Sequence, residues 1–427
     1  MGPLAGADRA RENWPSLSRR MARVDTPIIP TIAAMVRDNP GCISLGQGVV
    51  SYGPPEDAIA ALTAKMAVPQ LHKYQAVEGM PELVEALARK LLDVNRIAAS
   101  QSSRLMVTAG SNMAFLNAVL ALSEEGDEFI LPLPYYFNQE MAIRMCGCQP
   151  VTVACGDDFQ LDVEAIAKAI TPRTRAIVTV SPNNPTGAVY RREDLVAVNA
   201  LCRDRGLYHL SDEAYEGFTY GGAQHFSPGS LKGAEEYTLS FYSFSKQFGM
   251  ASWRVGYVLY PEHLHAAMNK VQDTNLICAP AVSQLLALEV LRRPGARIAE
   301  KVAALDRVRR EMYRRLDALG PLAHYTPTEG AFYIMVALPG VPDVLAFNAF
   351  LAREYKVACV PGFAFGLNAT HHVNYQRLSY GALAPQTVVE GLGRFVEGVR
   401  AWYARDTVAG KWADPSQSEK GIRRASG

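Results

Sequence analysis

Lys246 stands in the run Ser240-Phe241-Tyr242-Ser243-Phe244-Ser245-Lys246-Gln247-Phe248-Gly249, and Arg254 follows eight residues later. A lysine amine attacks a carbonyl carbon only when unprotonated. A partly apolar pocket with a nearby cation lowers its pKa and makes it a Schiff-base nucleophile. Ser243, Ser245 and Arg254 add hydrogen-bond donors and a fixed positive charge, the means of holding a phosphate. A Schiff-base lysine beside a phosphate cradle suggests pyridoxal phosphate (PLP). A Ser-x-Ser-Lys run by itself is common and reads equally as a buried strand, a glycine-rich turn and a solvated lysine, so the rest of the chain decides.

Stretches that would place polar groups at strand ends change the balance. Ser181-Pro182-Asn183-Asn184-Pro185-Thr186-Gly187 follows the apolar run 176–180, and Leu210-Ser211-Asp212-Glu213-Ala214-Tyr215 follows another. Open α/β sheets bind ligands just past their strand ends. The strand 105–108 turns through Ala109-Gly110-Ser111-Asn112 into an apolar helix, 113–122. Free backbone N–H groups and the helix dipole favour phosphate there, which makes Gly110 and Ser111 candidates. The strand 128–131 leads to Tyr135 and Tyr136, either of which can stack on a flat cofactor. Near the C-terminus, Gln376-Arg377-Leu378-Ser379-Tyr380-Gly381 presents an arginine whose planar fork suits a carboxylate.

Together, SPNNPTG, SDEAYEGF, SFSKQFGMASWRVGY and QRLSYG occur in the order and at about the spacing of a known family. Over roughly residues 18 to 403 the chain resembles a class I/II aminotransferase, PLP-dependent and of fold type I. Each motif is weak alone; the set is specific. LGQGVVSYGPP and HKYQAVEG look like the aspartate and aromatic aminotransferase branch.

The resemblance implies roles residue by residue. Lys246 forms the internal aldimine, is displaced by the substrate amine and then moves the proton at the α-carbon. Asp212 pairs with the pyridinium nitrogen and lets the ring accept electrons; Glu213 and an ordinary helix N-cap role compete with that reading. Tyr215 and Asn184 approach the phenolic oxygen. Tyr136 is favoured over Tyr135 as the stacking ring. Gly110, Ser111, Ser243 and Arg254 hold the phosphate, and Arg377 binds the substrate carboxylate with Gly48 offering backbone nearby. Tyr74 reaches across a dimer interface to the partner's phosphate.

At 427 residues the chain exceeds one ordinary core. The expected fold is α/β: a large domain with a mostly parallel sheet, plus a small α+β domain. The expected boundaries are an N-terminal arm and part of the small domain at 1–47, the PLP-binding domain at 48–290, the small C-terminal domain at 291–404 and a disordered tail at 405–427. Prolines at 27 and 30 break any helix there, and a short helix is expected over 31–37. The segment 330–336 reads as an alternating strand and 357–360 as another.

Lys plus Arg total 43 and Asp plus Glu 42, so net charge near zero leaves no footprint for nucleic acid or an anionic membrane. No apolar run approaches a transmembrane length. Seven scattered cysteines read as thiols in a reducing cytosol, and neither they nor the pairs His263/His265 and His371/His372 make a metal ligand set. The expected protein is thus a cytoplasmic, homodimeric PLP aminotransferase passing an amino group from an L-amino acid to a 2-oxo acid. Elimination, decarboxylation, cyclisation or oxidative deamination on the same cofactor, and a non-catalytic PLP-binding regulator, are the alternatives.

Overall fold

A computed structural model of the chain describes residues 18–293, 296–341, 343–367 and 373–408. Residues 1–17 of the expected N-terminal arm, the last part of the expected C-terminal tail, and the His371/His372 pair lie outside the described residues.

The chain enters through α1 (Ile28–Asp38), the short strand β1 (Ile43–Ser44), α2 (Glu56–Lys65) and α3 (Pro81–Lys90). It continues through β2 (Ser103–Thr108), α4 (Ser111–Leu122), β3 (Glu128–Leu133), α5 (Phe137–Met145), β4 (Gln149–Ala154), α6 (Val163–Lys168) and β5 (Thr174–Val180). Then come α7 (Arg192–Arg205), β6 (Tyr208–Asp212), β7 (Thr238–Ser243), α8 (Phe244–Gln247) and β8 (Gly256–Pro261). Three helices, α9 (His265–Asn275), α10 (Ala281–Leu291) and α11 (Ala296–Asp317), lead to β9 (His324–Tyr325) and β10 (Tyr333–Pro339). The chain closes with α12 (Val344–Phe350), β11 (Val357–Ala358), β12 (Val360–Pro361), β13 (Val373–Ser379) and α13 (Pro385–Val408).

A seven-stranded sheet in the order β2-β8-β7-β6-β5-β3-β4 carries the first half of the chain. β3 to β7 pair in parallel, whereas β8 runs against both neighbours, β7 and β2. Strands covered on both faces need continuous apolar runs rather than alternation. β5 (TRAIVTV) is such a run and is almost wholly buried. From β3 the chain first adds β4 on one side, then crosses to build β5, β6 and β7 on the other. That reversal leaves a crevice past the strand ends, where doubly wound sheets hold ligands.

The later strands form an antiparallel sheet in the order β12-β13-β10-β9, and β1 pairs in parallel with β11. One apolar cluster joins the two sheets: Tyr215 and Phe218, just after β6, pack with Phe332 and Tyr333 beside Leu45. Burying such rings contributes about 1.5–3 kcal/mol each, which fixes the second sheet over the crevice.

Four details differ from the sequence expectations. α1 begins at Ile28 instead of 31. Pro30 falls in its first turn, where a backbone N–H has no intrahelical acceptor, so proline is tolerated there. β10 is buried on both faces rather than alternating, because it is covered by the large sheet's loops and by α11 and α13 packing. The 357–360 strand is split into β11 and β12, which join different sheets. Residues 405–408, expected in the tail, continue α13 to Val408.

Candidate active site

The ends of β2, β3, β5, β6 and β7 converge on one cavity of about 480 Å³, lined among others by Ser111, Asn112, Tyr136, Asn184, Asp212, Tyr215, Ser243, Ser245, Lys246 and Arg254. Eight of the expected cofactor contacts therefore line a single space: Ser111, Tyr136, Asn184, Asp212, Tyr215, Ser243, Lys246 and Arg254. Gly48, Asn184 and Arg377 line an adjoining compartment, and Tyr136, Asn184, Tyr215 and Lys246 belong to both. Tyr74 lines neither; its ring is 78% exposed.

One end of the cavity is built from donors. Ser111 opens α4, whose first backbone N–H groups have no partner within the helix. Gly110, at φ +84°, sits directly under the Arg254 guanidinium, and a Cβ there would collide with Nη2. What favours glycine at 110 is its left-handed backbone, while the guanidinium above it is the end of a flexible side chain. Arg254 is itself at φ +51°, a conformation costing an L-residue about 1–2 kcal/mol. Its Nη1 and Nη2 donate to the carbonyls of Ala251 at 2.9 Å and Ala109 at 3.4 Å, which aims the charge at the α4 end. The Ser243 hydroxyl accepts from the Ser245 N–H at 3.1 Å and leaves its own proton to donate.

The opposite end is a carboxylate. Asp212 ends β6, where its Oδ1 accepts from the Ala214 N–H at 3.1 Å and its Oδ2 from Gln139 Nε2 at 2.7 Å. Burial raises its pKa to about 6, with the nearby Glu213 charge adding to the rise. The carboxylate is thus costly to ionise as it stands and suits a cationic partner. Glu213 faces away from the cavity, accepting from Ser211 at 3.1 Å and sharing a buried network with Ser227 and His225. Near it, Lys90 donates to Glu216 and to Asn95.

Lys246, on the one-turn helix α8, lies between the two ends, its Nζ donating to the Gly48 carbonyl. Burial lowers its pKa to about 8, reinforced by the charges of Arg377 and Arg254 and opposed by Asp212. The Tyr52 hydroxyl, at 3.3 Å from the carbonyls of both Lys246 and Gln247, braces this turn.

In the adjoining compartment Arg377 is 2% exposed. Its Nη1 donates to Asn184 Oδ1 at 2.8 Å and Nη2 to the Gly46 carbonyl at 2.7 Å, while Nε has no partner. The guanidinium lies 4.5 Å from the Tyr333 ring centre and 5.0 Å from that of Phe365. No carboxylate pairs with it among the described residues. A buried charge without a counterion is expensive unless a ligand supplies one.

Several participants carry no local signal in the sequence. Tyr333 bonds Tyr215 hydroxyl to hydroxyl at 2.7 Å across 118 residues. Gln139 likewise reaches the site only through the fold, whereas Asn112 and Tyr52 stand within the turn 109–112 and the LGQGVVSYGPP stretch. Gly46, rather than Gly48, meets Arg377, while Gly48 meets Lys246. Tyr135 packs away from the cavity, against the position of Gly366.

The family model for aminotransferases of class I and II matches residues 40–395. The chain is 33% identical to an aromatic aminotransferase of Arabidopsis thaliana over 392 residues, 90% of this chain and 96% of that protein. It is 37% identical to a probable aspartate/prephenate aminotransferase of Aquifex aeolicus over 331 residues, 75% of this chain and 82% of that one. The solved aspartate aminotransferase of Thermus thermophilus with maleate superposes with a TM-score of 0.82 at 32% identity, covering 90% of this chain and all of that one. The chain belongs to the class I and II aminotransferases, pyridoxal-phosphate enzymes of fold type I that move amino groups between amino acids and 2-oxo acids.

Proposed function

We propose that this chain holds PLP in the cavity described above and passes the amino group of an L-amino acid to a 2-oxo acid. One observation carries the reading: a donor-lined end, a buried carboxylate end and an amine of depressed pKa between them. That order of groups fits a molecule with a phosphate, a basic ring nitrogen and a carbonyl in between. When bound, PLP supplies the electron-accepting ring and a carbonyl for amine exchange.

The chain's own residues do the rest. Gly110, Ser111, Ser243 and Arg254 hold the phosphate. Asp212 keeps a proton on the ring nitrogen, and Gln139 and the Ala214 N–H keep Asp212 in line. Tyr136 lies against the ring, and Tyr215 and Asn184 donate to its phenolic oxygen. Arg377 grips the substrate carboxylate, and Gly48 flanks it. Lys246 then takes the proton from the α-carbon of a substrate so oriented and returns it on the cofactor side. A panel of amino acids with 2-oxoglutarate and pyruvate as acceptors tests the activity. The expected result is one new amino acid for each 2-oxo acid formed; repeated turnover without an acceptor, beyond one 2-oxo acid per active site, would contradict transamination.

Asp212→Asn retains some PLP but loses on the order of 10²–10³-fold in single-turnover rate, as when one preorganised charge partner is removed. A near-normal single-turnover rate would remove Asp212 from the role given.

The same reading includes a homodimer with shared sites, an arm at 1–47, a PLP domain at 48–290, a small domain at 291–404 and a cytoplasmic location. All seven cysteines are free, which supports a reducing compartment. No helix among the described residues is long and apolar enough to cross a membrane. Tyr74 supports the dimer: a tyrosine 78% exposed is available to a second copy. Light scattering is expected to give twice 46.6 kDa. Tyr74→Phe is expected to weaken PLP binding about ten- to hundredfold, the loss of one charge-assisted hydrogen bond. A fully active monomer would contradict the shared site.

A further inference from the structure

Resting on the amino-transfer reading above, we propose that the preferred donor carries an apolar and preferably aromatic side chain, and that Ile29 and Phe137 select it. The adjoining compartment, about 720 Å³, is walled by Pro27, Ile29, Gln47, Phe137, Asn138 and Tyr333 around Arg377. A donor gripped by its carboxylate at Arg377 with its amine at Lys246 must place its side chain among these groups.

Their chemistry decides what fits. Arg377 and Lys246 are the cations lining the compartment, and both are engaged by groups common to every amino acid. A second carboxylate would gain no countercharge from the other described residues of this chain that line the compartment. Gln47 and Asn138 are neutral, and Asn138 Nδ2 already donates to the Tyr136 hydroxyl at 2.8 Å.

The remaining walls form a continuous apolar path. The Phe137 ring lies 5.1 Å from that of Tyr136 and 5.6 Å from that of Phe365, whose ring centre is 5.0 Å from the Arg377 guanidinium. Ile29 packs in the same apolar cluster as Phe137 and Phe365. It is held there because α1 starts at Ile28, with Ile28 and Ile32 buried against Val360 and Phe365. The N-terminal segment thus brings an aliphatic side chain beside an aromatic one, next to the carboxylate clamp. Ring centres 4.5–7 Å apart, offset or edge-on, are the packing an added aromatic side chain would extend.

The test uses the PLP-loaded enzyme with phenylalanine, leucine, alanine and aspartate as donors and one acceptor held constant. Phenylalanine is expected to exceed aspartate in kcat/KM by about 10²-fold or more. Phe137→Ala and Ile29→Ser are each expected to lower kcat/KM for phenylalanine about tenfold, mainly through KM, and to leave alanine within about threefold. Alanine shares the carboxylate and amine but reaches neither wall, so it separates selection from damage to Arg377. Calorimetric titration of the loaded enzyme with 3-phenylpropionate and with succinate adds a readout without turnover, and 3-phenylpropionate is expected to bind about tenfold tighter. Aspartate outrunning phenylalanine, or equal losses for alanine and phenylalanine in both variants, would overturn the proposal. If no amino acid gives up its amino group, the transfer reading falls, and the titration alone decides this one: tighter 3-phenylpropionate sustains the apolar compartment and tighter succinate refutes it.

Discussion

Lys246→Ala is expected to reduce amino transfer on the order of 10⁴–10⁶-fold, the scale seen when a covalent catalyst is removed, while leaving the fold intact. The side chain ends in a cavity, so its removal strips no core packing. Three contributions vanish together: the amine that exchanges with substrate, the base that moves the α-proton, and the charge facing Asp212. Steady-state assays with a 2-oxo acid acceptor check the loss. A residual rate within tenfold of the parent would show another residue doing the work.

A linked effect has a definite sign. The folded pKa of Lys246 is depressed to about 8, against about 10.4 in an unfolded chain. Between those values the unfolded chain binds more protons, so cofactor-free protein gains stability as pH rises from about 8 toward 10. Below pH 8 the full penalty applies, on the order of 3 kcal/mol. Cofactor-free Lys246→Met, which keeps the volume and loses the charge, is therefore expected to melt above the cofactor-free parent at pH 7. The difference should shrink toward pH 10. Thermal melts at the two pH values measure it, and a lower melting point for the variant at pH 7 would contradict the depressed amine.

Arg377→Ala carries the second large effect. Two charge-assisted hydrogen bonds to a carboxylate, at roughly 1.5–3 kcal/mol each, correspond to about 10²–10⁴ in kcat/KM. The loss is expected to be similar for every α-amino acid and to appear in both half-reactions, because the oxo acid presents the same carboxylate. PLP binding should survive, since the donor end of the cavity lies at Ser111, Ser243 and Arg254. Part of the damage is structural: Asn184 Oδ1 and the Gly46 carbonyl lose their donor, at about 1–3 kcal/mol of stability for each buried group. Lysine should rescue only partly, because a point charge cannot reproduce a planar fork. An amine donor lacking a carboxylate gives the comparison. Were it slowed as much as an α-amino acid, Arg377 would not be the carboxylate clamp.

Much of this site is legible in the sequence because its groups sit at strand ends. The turns after β2, β5, β6 and β7 each pair an apolar run with a short polar motif, and parallel strands bring such ends to one edge. Asp212, Asn184 and Lys246 lie on three such ends, so their convergence follows from topology. Choosing between adjacent candidates is harder. Tyr135 and Tyr136 are chemically alike, and only the entry into α5 turns Tyr136 toward the cavity. Asp212 and Glu213 differ in direction because successive residues at a strand end point to opposite faces. Tyr333 and Gln139 have no motif at all. Tyr333 arrives only because the second sheet closes over the first, and Gln139 because α5 packs beside the end of β6; no local spacing encodes either arrangement. The early start of α1 belongs to the same class. Pro27 and Pro30 read as helix breakers, yet at a helix start they are compatible with the first turn, and that start is what brings Ile29 to the site.

In the proposed reaction Lys246 is the residue joined covalently to the cofactor. Borohydride reduction of the PLP-loaded protein, followed by proteolysis and peptide mapping, tests it directly. The reduced cofactor is expected on the peptide containing Ser243-Phe244-Ser245-Lys246, attached at Lys246, at close to one per chain. A label on any other lysine, or none at all in protein that still transfers amino groups, would contradict it.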